Sequence, residues 1–299
     1  MRLRKLILAT TLLAAAFPAA ALNVFACEPE WQALAQEIGR DHISATSATT
    51  PLQDPHHIQA RPSLLAKIRR ADLVICTGAE MEIGWLPVLL QRGNNPDVRP
   101  GTPGFLDASA FVQLKDIPDT ADRAQGDVHL SGNPHIQLNP HNIARVAKAL
   151  AARLTRLDPD NAAAYNAGYA DFEKRWQAAI EKWEAQAAPL KDMPIVVHHK
   201  TWFYLEDWLG LNKVAELEPK PGVQPSVAHL QAVLTALKQQ PAQIIIRAPY
   251  FSSQAGEWLA KRTGIQTVVL PTTVGGTPEA KNLFAMFDAI LNSLLAARQ

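Results

Sequence analysis

The chain has 299 residues, 47% of them hydrophobic and 19% charged, which is enough for a large core and more than one ordinary domain holds. Twenty-nine basic against 28 acidic residues leave a net charge of +1, so bulk electrostatics argue against a nucleic-acid or anionic-membrane partner. Two cysteines, Cys27 and Cys76, exclude a disulfide scaffold and a four-thiolate zinc site.

Residues 1–21 read as a targeting segment: Arg2, Arg4 and Lys5 give a basic start, LILATTLLAAAF an apolar run, and Ala19-Ala20-Ala21 a small-residue cleavage site. The expected mature chain begins at Leu22 and is exported to the periplasm. A membrane anchor needs about 20 apolar residues, and no later stretch reaches that without charges. A lipoprotein would carry a cysteine directly after the apolar run, whereas Cys27 lies inside the next strand pattern.

That pattern is NVFAC, after which Trp31, Leu34, Ala35 and Ile38 recur at helical spacing until Gly39. His42 to Ala48 reads as the second strand. The loop DPHHIQARPS follows, then a helix capped by Ser63 and running to Arg70, then the apolar strand DLVICTG. Both cysteines stand near strand ends, either paired or buried as two small hydrophobes. Residues 86–131 are rich in Pro, Gly and Asp, with a short strand or helix near Phe105 to Val112 and a polar loop at 118–133. That loop carries Asp119, Asp122, Asp127 and His129, a composition suited to solvent or to weak metal capture, with solvent the default expectation.

An Ala/Leu-rich helix spans Asn142 to Leu157, and Asp158-Pro159 opens a longer one to about Gln186. Its stripe is Tyr165, Tyr169, Phe172, Trp176, Ile180 and Trp183, and its length of roughly 42 Å suits a brace between two lobes. A second series follows: PIVVH, KVAEL, a helix from Ser226 to Gln239, QIIIR, a helix from about Ser253, QTVVL, and a last helix opening at Thr277-Pro278-Glu279. The expected fold is therefore α/β, with two lobes, each a mostly parallel sheet flanked by helices, joined by one long helix. The expected divisions are 22–157, 158–187 and 188–299.

In such sheets ligands bind beyond the carboxyl ends of the strands. His56 in DPHHIQARPS, His135 in GNPHIQLNP and His199 in PIVVHHKTWFYL all fall in such positions. Three imidazoles brought from far apart in sequence suit a tetrahedral zinc site, with prolines before His56 and His135 restricting the backbone. His57, His141 and His198 are alternatives, better placed as supporting or solvent-facing groups, since strand alternation turns His198 away from His199. His42 and His229 read as structural.

The order of signal peptide, DPH followed by RPS, ADLVICTG, NPHIQLNP, a DP-N-AAAY helix and VVHHKTWFYLEDWLGL resembles the zinc and manganese solute-binding proteins of ABC transporters, the ZnuA/TroA-like family. The resemblance covers essentially the whole mature chain. It implies two lobes bridged by a rigid helix, one divalent metal in the cleft, and His56, His135 and His199 as its ligands. His199 is preferred to His198 by its distance from Gly210-Leu211. The implied partner is a membrane permease, and the implied state a monomer.

Two departures from the family concern a fourth ligand. LPTTVGG has Pro271 where the family commonly places a carboxylate, and IIIRAPYF has Ala248 where a glutamate is frequent. Water, Glu28, Glu80, Glu82 or Glu218 remain as candidates, and the family's long histidine-rich loop is absent. Three imidazoles without a carboxylate favour zinc over manganese, which prefers oxygen donors. An open three-histidine site with water is also the arrangement of catalytic zinc, but no HExxH, GxSxG or P-loop occurs. Metal capture for transport is the expected function, ahead of a zinc hydrolase or hydratase and an adhesin-like or metal-buffering protein.

Overall fold

A computed structural model describes residues 21–118 and 128–298. The leader up to Ala20, and Asp119, Asp122 and Asp127, lie outside the described residues. Two four-stranded sheets, parallel throughout, form the frame. The first contains β1 (Leu22–Ala26), β2 (Ile43–Ser47), β3 (Leu73–Cys76) and β4 (Phe105–Asp107), in the order β2-β1-β3-β4. The second contains β5 (Pro194–Val197), β6 (Asn212–Glu216), β7 (Ile244–Arg247) and β8 (Gln266–Val269), in the order β6-β5-β7-β8.

The central strands LVIC and PIVV are almost wholly buried, as a parallel strand covered on both faces requires, while β6 and β8 at the edges are half-exposed. Strand alternation sorts the side chains into layers. Val24, Ala26, Leu73, Ile75, Ile195, Val197, Ile244 and Ile246 share one cluster that runs between the sheets. Phe25, Val74 and Cys76 face α2 (Pro62–Arg69) and α3 (Leu86–Gly93) on the outside of the first sheet. Val196 and Ile245 face α7 (Val227–Gln239) and α8 (Gln254–Thr263) on the outside of the second.

The middle layer holds α1 (Pro29–Gly39), α4 (Pro140–Leu157), α5 (Ala162–Ala187), the short α6 (Phe203–Leu209) and α9 (Leu283–Ala297). The α5 stripe buries Tyr165, Phe172, Trp176, Ile180 and Trp183, and Trp176 stands edge-on to Phe284 and Phe287 of α9 at 4.8 and 5.6 Å. This helix therefore belongs to the core of both lobes. Among the described residues no helix is long and apolar enough to cross a membrane.

Several element ends differ from expectation. The helix after the first histidine loop starts at Pro62 without a side-chain cap, so Ser63 lies inside it. The last helix starts at Leu283, where Asn282 accepts from the Ala285 N–H, rather than at Thr277. Asp158 caps nothing; its carboxylate accepts from the Tyr165 hydroxyl at 2.6 Å and the Asn161 amide at 2.7 Å. The Pro-rich stretch after residue 86 contains α3, which sequence reading leaves unassigned. His42 ends a single 3-10 turn ahead of β2 rather than lying in the strand. Cys27 and Cys76, from neighbouring strands, are joined in a disulfide with Cα atoms 4.8 Å apart.

Candidate metal centre

Each histidine is held by a turn that its neighbours define. In the loop after β2, Asp54 Oδ1 accepts the backbone N–H of His56 at 3.0 Å and its Nδ1–H at 2.7 Å. Trp85 donates to the Pro55 carbonyl at 2.9 Å and pins the same loop. Before α4, Asn133 Oδ1 accepts the His135 N–H at 3.0 Å, while Asn133 Nδ2 donates across the cleft to the Lys200 carbonyl at 3.0 Å. One asparagine thus ties two histidine-bearing segments from different lobes. Directly after β5, His199 Nδ1–H donates at 2.7 Å to Glu218 Oε2, which also accepts the Gly222 N–H at 2.9 Å.

A carboxylate only accepts, so Nδ1 of His56 and of His199 carries a proton and Nε2 is the nitrogen left to face a metal. This carboxylate–histidine pairing is how metal-ligating imidazoles are fixed in tautomer and direction. The His135 Nε2 is buried with no hydrogen-bond partner. The ring centroids of His56 and His135 are 5.4 Å apart, those of His135 and His199 5.7 Å, and those of His56 and His199 6.1 Å. Four imidazoles around one tetrahedral zinc would have centroids about 5.2 Å apart. The rings are gathered, but among the described residues no three of their nitrogens lie within 4.8 Å of one another, and His199 of the second lobe stands furthest from His56.

Burial, and then the neighbouring His56 and His199, holds His135 well below the ordinary histidine range. The same causes push His129 down to about 3. Both are neutral at neutral pH, which is the form that binds a metal.

His129 is the residue for which sequence reading put solvent ahead of weak metal capture. Expected in solvent, it lies with its Nε2 3.2 Å from His56 Nε2 and its ring 5.1 Å from that of His56. The available signal was a second histidine six residues before His135, with Gly132, at φ +121°, turning the chain between them. The carboxylate candidates lie elsewhere or serve other groups. Glu218 supports His199, and Glu80 accepts from Ser131. Glu28 and Glu82 are buried around Thr77, whose hydroxyl donates to Glu28 at 3.0 Å and whose N–H donates to Glu82 at 2.7 Å. Cys27, Cys76 and Glu82 lie close together, but the sulfurs are bonded to each other and offer no thiolate.

The remaining histidines are apart from the cluster or turned from it. His198 is buried and stacked on Phe251 at 4.6 Å. His141 pairs with Glu184 at 2.8 Å on the surface, and His57 is exposed. His42 stands edge-on to Tyr165 at 6.0 Å, and His229 Nε2 donates to the Glu216 carbonyl at 3.0 Å, both structural as expected. After β8, where the resembled family places a carboxylate, the Thr272 carbonyl accepts from Gln137 and Thr273 donates to Glu30.

The family model described as ZnuA, zinc-uptake complex component A periplasmic, matches residues 24–297. The chain belongs to the ZnuA family. The high-affinity zinc uptake system protein ZnuA of Yersinia pestis is 25% identical to it over 253 residues, spanning 80% of this chain and 79% of the relative. The protein of the same description from Bacillus subtilis is 24% identical over 254 residues, 81% and 78% of the two chains. A crystal structure of ZnuA superposes with a TM-score of 0.76 over 92% of this chain and 99% of the other at 22% identity, which shows a shared fold. ZnuA family members are components of zinc uptake, not enzymes.

Proposed function

We propose that this ZnuA-family chain is the extracytoplasmic binding component of a zinc ABC transporter. It captures one divalent ion through His56, His135 and His199 and delivers it, as a monomer, to a membrane permease. The observation that carries this reading is the meeting of three imidazoles from three distant segments, two of them backed by carboxylates and one with a buried, unpartnered nitrogen. Nitrogen donors with no carboxylate among them favour zinc, because manganese binds nitrogen sites more weakly. The relatives' role in zinc uptake supports the same ion. On this reading residues 1–21 are a cleaved leader and the working chain starts at Leu22, with lobes over 22–157 and 188–299 and a link over 158–187.

Capture requires only that neutral imidazoles converge; release requires that one of them be drawn off. The slight stand-off of His199 suits this, because a small approach of the lobes would complete the shell. A calorimetric zinc titration of residues 22–299, stripped of metal, tests the proposal. One tight site is expected, weakened on the order of 100-fold or more by each of His56→Ala, His135→Ala and His199→Ala, since even supporting residues are worth about 10- to 100-fold. Absence of a tight site, or indifference to all three changes, refutes it.

A further inference from the structure

We propose that His129 is the fourth ligand of this site, closing it as an all-imidazole shell, and that Glu80 is the positioning residue that holds His129 there. This rests on the reading of the site as a metal-capture centre. Two nitrogens bound to one tetrahedral zinc stand about 3.3 Å apart, and Nε2 of His129 lies 3.2 Å from Nε2 of His56. With Nδ1 of His56 donating to Asp54, the nitrogen facing His129 is the one left to bind a metal. Among the sequence candidates, Glu80, Glu82 and Glu218 accept from Ser131, Thr77 and His199, and Glu28, whose Oε1 is unpartnered, is tied through Oε2 to Thr77 beside Glu82.

The second part comes from the turn after β3. Gly78, Ala79 and Glu80 are three consecutive left-handed residues, with φ of +79°, +47° and +61°. For alanine and glutamate this conformation is uncommon and clusters where function needs it. The turn is held by Glu82, whose carboxylate accepts the N–H groups of Thr77 at 2.7 Å and Gly78 at 3.2 Å. Its product is the direction of Glu80. The Glu80 carboxylate accepts both the backbone N–H of Ser131 at 3.1 Å and its hydroxyl at 2.5 Å. Ser131 lies in the turn that begins at His129, closed by the Gly132 N–H donating to the His129 carbonyl at 3.2 Å. Glu80 thus anchors the segment that carries the fourth imidazole.

A closed shell of four nitrogens leaves no position for a water and selects borderline ions such as zinc over oxygen-preferring ones such as manganese. The test is zinc binding by calorimetry, together with an imidazole count by zinc-edge X-ray absorption. The chains compared are the unaltered one, His129→Ala, Glu80→Ala, Ser131→Ala and the Glu80→Ala/His129→Ala double variant. Expected are four imidazoles falling to three in His129→Ala with zinc weakened about 10- to 100-fold, and a loss of about 10-fold in Glu80→Ala. Ser131→Ala should shift affinity in the same direction by less, and Glu80→Ala should add nothing once His129 is gone. Metal-free melting curves separate these losses from unfolding.

If His129→Ala binds zinc as tightly as the unaltered chain with the same imidazole count, the proposal is overturned and His129 is only a hydrogen-bond partner of His56. A Glu80→Ala loss that persists undiminished without His129 overturns the role of Glu80. Failure of the unaltered chain to bind zinc removes the capture reading itself.

Discussion

Asp54 and Glu218 touch no metal position, yet each decides which nitrogen of its histidine is available. Asp54→Ala and Glu218→Ala are expected to weaken zinc binding about 10- to 100-fold with the fold intact, measured by competition with a chromogenic chelator. A different set of carboxyls controls stability. Burial first, with mutual repulsion adding to it, raises Glu28, and burial raises Glu30 and Glu82 to about 7. The folded chain then holds protons that the unfolded chain releases near pH 4.5, so this contribution is present at low pH and is lost as pH rises through about 7. Glu82→Gln keeps an acceptor for Thr77 and removes the titration. It is expected to be more stable than the unaltered metal-free chain at pH 8, by on the order of 2 kcal/mol, with little advantage at pH 5, in urea titrations. At this scale the sequence was partly legible. The positions of His56, His135 and His199 at strand or loop ends were readable, but that of His129 was not, because its place depends on Glu80, 49 residues earlier in sequence, pulling Ser131 inward.

Among the elements, α5 meets α1 at Gly168. A Cβ built there would lie 2.2 Å from the Ile38 carbonyl oxygen, which is backbone and cannot swing aside. Gly168→Ala is therefore expected to destabilise the chain by about 1–3 kcal/mol despite alanine's better helix propensity, read from the urea midpoint. The aromatic stripe of α5 and the apolar runs of β3, β5 and β7 were readable because burial on one face or two leaves a period in the sequence. Element ends were less so. Pro62 starts α2 with no capping side chain, and Asn282 caps α9 five residues after Thr277, whose Thr-Pro-Glu sequence resembles a helix start. Residues 86–93 show how a proline at the first turn can hide a helix inside a stretch that otherwise reads as loop.

For the whole molecule, one core runs unbroken from the first sheet through α1, α4, α5 and α9 to the second. Lobes that share a core cannot unfold independently, so the metal-free chain is expected to melt in a single calorimetric transition. A hundredfold excess of zinc over Kd should raise that transition as one, by the equivalent of about 2.7 kcal/mol. Two resolved transitions would refute the shared core. The division into two α/β halves was legible from the alternating strands and helices. Their fusion was not, since it depends on contacts such as Trp176 with Phe284 and Phe287, over a hundred residues away. The pairing of His56 with Asp54 and of His199 with Glu218 has an effect at this scale as well. A captured dication would find countercharge one layer back, in two carboxylates reached through the rings. Occupancy is thereby written as a difference of two charges on the face between the lobes, which makes loaded and empty molecules separable by ion exchange without any change of shape.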